Sequence, residues 1–277
     1  MNLKQVLKNA KKEGEAVGQF NFSAWVQLRG IFKAAQEQNQ PIIIGTSGGE
    51  SRHVGLKQAV ILVEMAREQY GVSAFLNLDH GRDLEWIKQA VDAGYDAVHF
   101  DGSELSLKEN IEQTREVAEY AHENDVVVEG ELGYLTGSSE EHSEKIKIEK
   151  ENLTSPRQVQ QFVEQTDVDS LAIAIGNVHG VYAEMPNLDL ERLERIEKET
   201  GAFLVLHGGS GIPDEDVQKA IEKGIVKINV NTELRLTWKE SLTKALKKDS
   251  IKPYEILPEV ERAIQEKVNS KINLFHG

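Results

Sequence analysis

The sequence contains no cysteine among its 277 residues. This absence excludes disulfides, thiolate nucleophiles and thiolate metal ligands. The N-terminal segment, MNLKQVLKNAKKEGEAVG, lacks the apolar core of a signal peptide, and no apolar run approaches the length that spans a membrane. These absences fit a reducing compartment, so we expect a cytoplasmic protein.

Basic residues are also fewer than acidic ones, 32 against 46, and the formal net charge is −14. Such a chain is a poor partner for nucleic acid or an anionic membrane surface. A phosphorylated substrate would have to be attracted by local groups against the overall field. The rest of the composition, 39% hydrophobic and 28% charged residues, is that of an ordinary globular protein.

What the sequence does contain is a repeat of short apolar runs, each followed by a helical pattern. The eight runs are AVGQFNF from Ala16, PIIIGTS from Pro41, SAFLNLD from Ser73, AVHFDG from Ala97, VVVEGE from Val126, SLAIAIG from Ser170, AFLVLH from Ala202 and IVKINVN from Ile225. They predict an α/β fold with one domain over residues 1–277, a (β/α)8 TIM barrel with an N-terminal helix and a C-terminal helical extension. A doubly wound open sheet is the competing architecture, but QFNFSAW lacks its Gly-rich first turn.

One segment breaks the repeat. Residues 132–154, LGYLTGSSEEHSEKIKIEKENLT, separate the fifth strand from its helix. Structureless connections of this length often act as lids, which is the interpretation we favour. The alternative is a floppy or hairpin-like insertion.

Three of the eight histidines, His80, His179 and His207, fall at the ends of predicted strands. In this fold such ends converge at one mouth of the barrel. Three neutral imidazoles leave a zinc ion one open position, which is the catalytic arrangement. His99 lies inside a strand and is predicted to be a hydrogen-bonded core residue. Four others occupy polar surface contexts: His53, His122, His142 and His276.

Two acidic residues, Asp101 and Glu131, also end strands. They predict a second cation site, groups that orient the imidazoles, or a structural hydrogen-bonding role. Asp79, next to His80, is placed to move a proton to or from a substrate oxygen.

Phosphate binding is predicted from the last two strands. Gly208, Gly209, Ser210 and Gly211 follow the seventh strand and lead to a helix near Asp214, while NVNTELR follows the eighth. Glycine-rich loops and helix N-termini bind phosphate in many barrels. Metal beside phosphate suggests carbon–carbon bond cleavage of a ketose phosphate, with the metal as Lewis acid.

These motifs resemble the class II fructose-bisphosphate aldolases, including the tagatose-bisphosphate branch. The likeness runs nearly end to end and is carried by AVGQFNF, LNLDHG, FDGSE, VEGELG, AIGNVHGVY, LHGGSGIP, KINVNTE and EKVNSKINLF. The resemblance implies reversible cleavage of fructose 1,6-bisphosphate to dihydroxyacetone phosphate and glyceraldehyde 3-phosphate. It also implies a homodimer or homotetramer.

The resemblance further implies roles for particular residues. His80, His179 and His207 would hold the catalytic zinc, and Asp79 would exchange a proton with the aldehyde oxygen. Ser47 would lie in the glyceraldehyde 3-phosphate pocket. Asp101 and Glu131 would correspond to a second metal site, and some members bind a monovalent cation. The residues expected to bind dihydroxyacetone phosphate are Gly180, Gly208, Gly209, Ser210, Asn229, Val230, Asn231 and Thr232.

The chain departs from the family pattern in three places. Asn77 replaces the first histidine of LHLDH, and Glu104 stands where many members have the histidine of DGSHLP. The family's GGEED segment, which carries the base that deprotonates dihydroxyacetone phosphate, appears here as GSSEEH. Glu140 and Glu141 therefore lie two places further from Glu131, and either, or neither, is the base.

Four alternative hypotheses for the function remain open. Tagatose 1,6-bisphosphate differs from fructose 1,6-bisphosphate in configuration at C4, which no motif here decides. A Schiff-base aldolase needs a lysine at the catalytic end, for which Lys227 is the strand candidate. A metal-dependent hydrolase barrel would favour an HxH pair in the first strand, absent from QFNFS. The last alternative is a protein that binds sugar phosphate without turnover.

Overall fold

The computed structural model describes residues 1–143 and 146–277 and contains a closed barrel of eight parallel strands. The barrel strands are β1 (Val17–Asn21), β2 (Ile42–Ser47), β3 (Ala74–Gly81), β4 (Ala97–Phe100), β5 (Val127–Leu132), β7 (Ser170–Ile173), β9 (Phe203–Leu206) and β10 (Ile225–Val230). Each strand pairs with the next in this list, and β10 closes the barrel on β1. All eight predicted strands are confirmed.

Helices surround the barrel. Their bounds are α1 (Leu3–Glu13), α2 (Trp25–Gln38), α3 (Gly48–Val54), α4 (Leu56–Tyr70), α5 (Leu84–Ala93), α6 (Leu107–His122), α7 (Pro156–Thr166), α8 (Leu190–Glu197), α9 (Asp214–Glu222), α10 (Thr232–Ala245) and α11 (Pro253–His276). The predicted N-terminal helix is α1, and the predicted C-terminal extension is α11, which packs against α2 and α10. None of the helices in the described part of the chain combines the length and apolar character needed to cross a membrane.

The amino ends of the strands are closed by α1. Its buried side chains Leu3, Val6, Leu7 and Ala10 form one apolar cluster with residues near the starts of six strands. Those strand residues are Val17, Ile43, Phe75, Ala97, Val127 and Val226. Leu7 is only 1% exposed, and full burial of a leucine side chain contributes about 1.5–3 kcal/mol. One end of the barrel is thus sealed by hydrophobic packing.

The expectation of a structureless segment over residues 132–154 is wrong for the described residues. The segment contains a strand, β6 (Gly137–His142), and a short 3₁₀ turn (Lys150–Asn152). β6 pairs in parallel with β8 (His179–Tyr182), which follows β7, and the two form a small sheet outside the barrel. Residues 144 and 145 of the predicted lid lie outside the described residues.

Candidate active site

A bulge in β3 explains how two neighbouring residues face the same site. Successive strand residues normally point to opposite faces. Between β3 and β4, Leu78 pairs with Val98 but Gly81 pairs with Phe100, so β3 holds one extra residue there. His80, in this stretch, adopts a left-handed backbone with φ 49°. The bulge places both Asp79 and His80 at the carboxyl end of the barrel.

The three predicted metal ligands come together. His80 lies at the end of β3, His179 begins β8, and His207 directly follows β9. Nε2 of His80 is 3.1 Å from Nε2 of His179 and 2.9 Å from Nδ1 of His207. Around a tetrahedral zinc ion, nitrogens at about 2.0–2.1 Å from the metal lie roughly 3.3 Å apart. The nitrogen donors therefore fit a zinc ion.

Buried carboxylates hold the far sides of two of these rings. Nδ1 of His80 lies 3.3 Å from Asp101 Oδ2 and 3.6 Å from Glu131 Oε2. Nε2 of His207 lies 2.6 Å from Glu129 Oε1. Such contacts favour the tautomer that leaves the other nitrogen free to bind a metal. This is the orienting role that the sequence offered as one alternative for Asp101 and Glu131.

Asp101 is further engaged by Arg82. The guanidinium contacts Asp101 Oδ2 through Nε at 2.9 Å and Nη2 at 2.8 Å, and it reaches Glu104 through Nη1 at 2.7 Å. The other oxygen of Asp101 accepts a hydrogen bond from the Ser103 amide. Both oxygens of Asp101 thus have protein partners, which favours its orienting role over that of a cation ligand.

Electrostatics also favour a cation at the three nitrogens. Burial alone would lower the pKa of His80, but the surrounding carboxylates, led by Asp79, outweigh burial and raise it to about 9. Burial, followed by the charge on His80, lowers the pKa of His179 to about 3. Burial and the charge of His80 also lower the pKa of His207. The carboxylates favour positive charge here, but the rings cannot all be protonated together.

Asp79 is held in place by two amides. It is 4% exposed, and its carboxylate accepts hydrogen bonds from Asn21 Nδ2 at 2.9 Å and Asn229 Nδ2 at 3.0 Å. Burial would raise the pKa of Asp79, but the charges on His80 and His207 hold it well below its usual range. Asp79 is therefore a fixed, ionised carboxylate beside the imidazoles.

A cavity of about 350 Å³ opens above this cluster. The predicted residues in its wall are Ser47, Asp79, His80, Asp101, His179, Gly180, His207, Gly208, Ser210, Asn229, Asn231 and Thr232. Glu131 is buried below the wall. Gly209 and Val230 also lie outside it: the Gly209 amide donates to the Asn229 carbonyl, and Val230 is fully buried. The Gly209 amide is thus already used within the protein.

Four residues in the wall were not singled out from the sequence: Arg82, Gly137, Ser138 and Arg235. Arg235, on α10, contacts Glu50 Oε1 at 2.6 Å, and Glu50 also accepts a hydrogen bond from the Ser47 amide at 2.8 Å. Arg235 supplies local positive charge that the net charge of the chain does not.

The two helix N-termini near the cavity differ. α9 begins at Asp214 as predicted, but its first turn carries three acidic residues of its own, Asp214, Glu215 and Asp216. These carboxylates already interact favourably with the helix dipole and repel an anion. α10 begins at Thr232, which lies in the cavity wall beside Asn231, and the one acidic residue of its first turn, Glu233, is paired with Lys267 and Lys271. An anion is therefore better accommodated at the start of α10 than at α9.

The small outer sheet orients the segment that contains Glu140 and Glu141. Gly137 pairs with His179, but Glu141 pairs with Val181, so β6 carries two extra residues in a bulge. His142 pairs with Tyr182 and stacks on its ring with 4.4 Å between centroids. Because Glu141 pairs with Val181, the two side chains share one face of the outer sheet.

His99 and Lys227 are both buried, and their contacts limit what each can do. His99 is fully buried and accepts a hydrogen bond from the His80 amide at 3.0 Å, so the prediction of a hydrogen-bonded core residue is confirmed. Lys227, the Schiff-base candidate, is buried, and its Nζ lies 2.6 Å from Glu129 Oε2. An ammonium held in that ion pair is poorly suited to attack a carbonyl.

The closed barrel, with imidazoles and carboxylates at the carboxyl ends of its strands, defines a (β/α)8-barrel enzyme. A family model described as "Fructose-bisphosphate aldolase class-II" matches residues 1–277. The chain belongs to the class II fructose-bisphosphate aldolase family, whose members are aldehyde-lyases that in general depend on zinc. The resemblance found in the sequence is confirmed.

Relatives and solved structures agree with this family. A fructose-bisphosphate aldolase of Staphylococcus epidermidis is 39% identical, with 99% of this chain and 96% of the relative covered. A probable fructose-bisphosphate aldolase of Bacillus subtilis is 38% identical, with 99% and 97% covered. The crystal structure of the YdjI aldolase from Escherichia coli K12 has a TM-score of 0.86 at 30% identity, with 99% and 96% covered.

Proposed function

We propose that this chain is a zinc-dependent aldolase that reversibly cleaves fructose 1,6-bisphosphate to dihydroxyacetone phosphate and glyceraldehyde 3-phosphate. The observation that carries the proposal is the convergence of three imidazole nitrogens, about 3 Å apart, beside the buried carboxylate of Asp79. The family model over residues 1–277 supports treating this range as one aldolase domain.

His80, His179 and His207 would hold the zinc ion. A bound zinc ion supplies a Lewis acid that stabilises negative charge on the oxygens of the ketose phosphate. The ligand geometry is set by the protein: Asp101 and Glu131 orient His80, while Glu129 orients His207. Since Asp101 is already bonded to Arg82, we assign Asp101 and Glu131 this orienting role rather than a second cation site.

Asp79 would exchange the proton of the aldehyde-forming hydroxyl. Its hydrogen bonds from Asn21 and Asn229 fix the carboxylate at the cavity wall. A positioned carboxylate of this kind accepts the hydroxyl proton on cleavage and returns it on condensation. Because its pKa is held low, it enters the cleavage direction ionised.

Glu141 would be the base that removes a carbon-bound proton from dihydroxyacetone phosphate in the condensation direction. It pairs with Val181, two residues beyond His179, whose ring reaches the site. Glu140 lies within the bulge, where the regular pairing with β8 is interrupted. We therefore assign the base to Glu141, with Glu140 as the natural control.

The two phosphates would bind at opposite sides of the cavity. Gly180, Gly208 and Ser210, with Asn229, Asn231 and Thr232, would accommodate dihydroxyacetone phosphate near the start of α10. Only glycine fits at position 208, where φ is 64° and an added Cβ would lie 2.0 Å from the Val178 carbonyl oxygen. Ser47, beside Arg235 and Glu50, would lie in the pocket for glyceraldehyde 3-phosphate.

We also propose a homo-oligomer, a dimer or tetramer. Ile61 and Met65 lie one turn apart on α4, and each is 54% exposed, as expected for side chains covered in an assembly. Light scattering on the purified protein would give the mass. A monomer at micromolar concentration would contradict this part of the proposal.

The alternative substrate is tagatose 1,6-bisphosphate. A paired coupled assay on the two sugars, with equal enzyme and saturating zinc, decides between them. The proposal predicts a larger kcat/KM for fructose 1,6-bisphosphate. Faster cleavage of the tagatose isomer would reassign the substrate but keep the chemistry, whereas cleavage of neither sugar would support a protein that binds sugar phosphate without turnover.

A further inference from the structure

The bulge in β3 leaves one backbone group in need of a partner. His80 lies in the bulged stretch with φ 49°, which is a strained conformation for a non-glycine residue. The extra residue in a bulge is left out of the regular ladder of hydrogen bonds. A buried amide without a partner would add to that cost. The bulge therefore needs a hydrogen-bond acceptor at this point.

His99 provides that acceptor from the neighbouring strand. Its Nδ1 accepts the His80 amide at 3.0 Å, and its ring is fully buried. A nitrogen that accepts carries no proton, so the neutral ring bears its proton on Nε2. Nε2 faces Glu131 Oε2 at 3.2 Å. The same oxygen of Glu131 faces the ring of His80 at 3.6 Å.

His99 thus contacts both the backbone of His80 and the carboxylate that faces the ring of His80. We propose that His99 is a positioning residue: it holds the bulge so that Asp79 and His80 both face the cavity. The inference rests on the proposed function, because it matters for catalysis only if His80 binds zinc and Asp79 moves a proton. Nδ1 of His99 is occupied by the His80 amide, so that nitrogen is not free to bind a metal ion.

Two substitutions separate the hydrogen bond from the bulk of the ring. His99→Asn keeps an acceptor, because Oδ1 of asparagine lies the same number of bonds from the backbone as Nδ1 of histidine. His99→Leu fills similar space without an acceptor. Thr166→Val is the control for lost stability alone, because buried Thr166 donates only to the Phe162 carbonyl in α7, remote from the site.

Three quantities are measured for each variant: zinc affinity by chelator competition, hydrogen exchange of the His80 amide in the metal-free protein, and kcat and KM. His99→Leu is expected to weaken zinc binding about 10- to 100-fold, as loss of groups that orient metal ligands does. It should also speed exchange at His80 and lower kcat more than KM rises. His99→Asn should stay close to wild type in all three, and Thr166→Val should lower only the thermal midpoint.

The inference is overturned if His99→Leu keeps both wild-type zinc affinity and a protected His80 amide, or if His99→Asn fails as badly as His99→Leu. Failure of the proposed function looks different. In that case the wild-type protein itself binds no zinc, while exchange at His80 still reports whether His99 holds the bulge.

Discussion

The two ends of the barrel interior are built from the same strands but from opposite chemistry. Along β3, β4 and β5 the inward positions change from apolar to polar toward the carboxyl end. The series are Phe75, Asn77 and Asp79; Ala97, His99 and Asp101; and Val127, Glu129 and Glu131. The amino end is sealed by α1 and buries apolar surface, whereas the carboxyl end buries carboxylates and imidazoles.

This difference separates stability from chemistry along about 13 Å of the same strand. Hydrophobic burial at the amino end contributes favourable free energy, while buried charge at the carboxyl end is costly unless paired. The pairs Lys227–Glu129 and Arg82–Asp101 reduce that cost, and a divalent ion at the three histidines would reduce it further. Substitutions at the amino end should therefore lower the free energy of unfolding, whereas substitutions at the carboxyl end should lower turnover.

The largest effect on turnover is expected from Asp79→Ala at the carboxyl end. Loss of a positioned proton-transfer group lowers rates by about 10²–10⁴-fold. Zinc content, measured by elemental analysis, should stay at the wild-type level because the three imidazoles remain. Turnover equal to wild type would remove Asp79 from the mechanism.

Glu141→Gln tests the outer sheet, and Glu140→Gln is its matched control. The first should slow exchange of a carbon-bound proton of dihydroxyacetone phosphate into deuterated water by about 10²-fold or more. The second should leave this exchange unchanged, since Glu140 lies in the bulge and Glu141 is the glutamate paired with β8. The reverse result would transfer the role of base to Glu140.

A smaller effect is expected from pH on zinc affinity. The pKa of His80 in the metal-free protein is about 9, and zinc requires the deprotonated ring. Protons therefore compete with zinc below pH 9, and affinity should fall about tenfold from pH 8 to pH 7. Metal-buffered titrations at the two values measure the ratio. An affinity that is equal at both, or tighter at pH 7, would disagree with the site described.

The smallest effect on activity belongs to the amino end. Leu7→Ala should lower the free energy of unfolding by about 2–5 kcal/mol, because it leaves a cavity in the cluster under the barrel. Turnover and zinc content per folded chain should not change. Urea unfolding and steady-state kinetics on the same preparation measure both. Loss of zinc in this variant would show that the two ends are coupled.

Local pattern was enough to predict the barrel, because each strand is a short apolar run buried on both faces and bounded by helical segments. It was not enough for β6. The run GSSEEH has no apolar alternation and forms a strand through its pairing with β8. Such a strand depends on a partner about 40 residues away in sequence, which a local pattern does not reveal.

Part of the candidate site was also predictable from local pattern. His80, His179 and His207 end or follow strands, and the barrel brings such ends together. Asn21 also ends a strand, and that position was a signal for it. Glu50 gave no such signal, because it lies on α3, away from the strand ends, and its place at the site comes from tertiary contacts such as those with Asn21 and Arg235. The bulge at His80 depends on how β3 pairs with β4, and the motif LNLDHG does not indicate it.

The central claim is that three imidazoles hold one catalytic zinc ion, and exhaustive metal removal tests it most directly. Cleavage of fructose 1,6-bisphosphate should be lost after chelation and restored by one equivalent of zinc per chain. Full activity in protein shown by elemental analysis to contain no metal would contradict the claim.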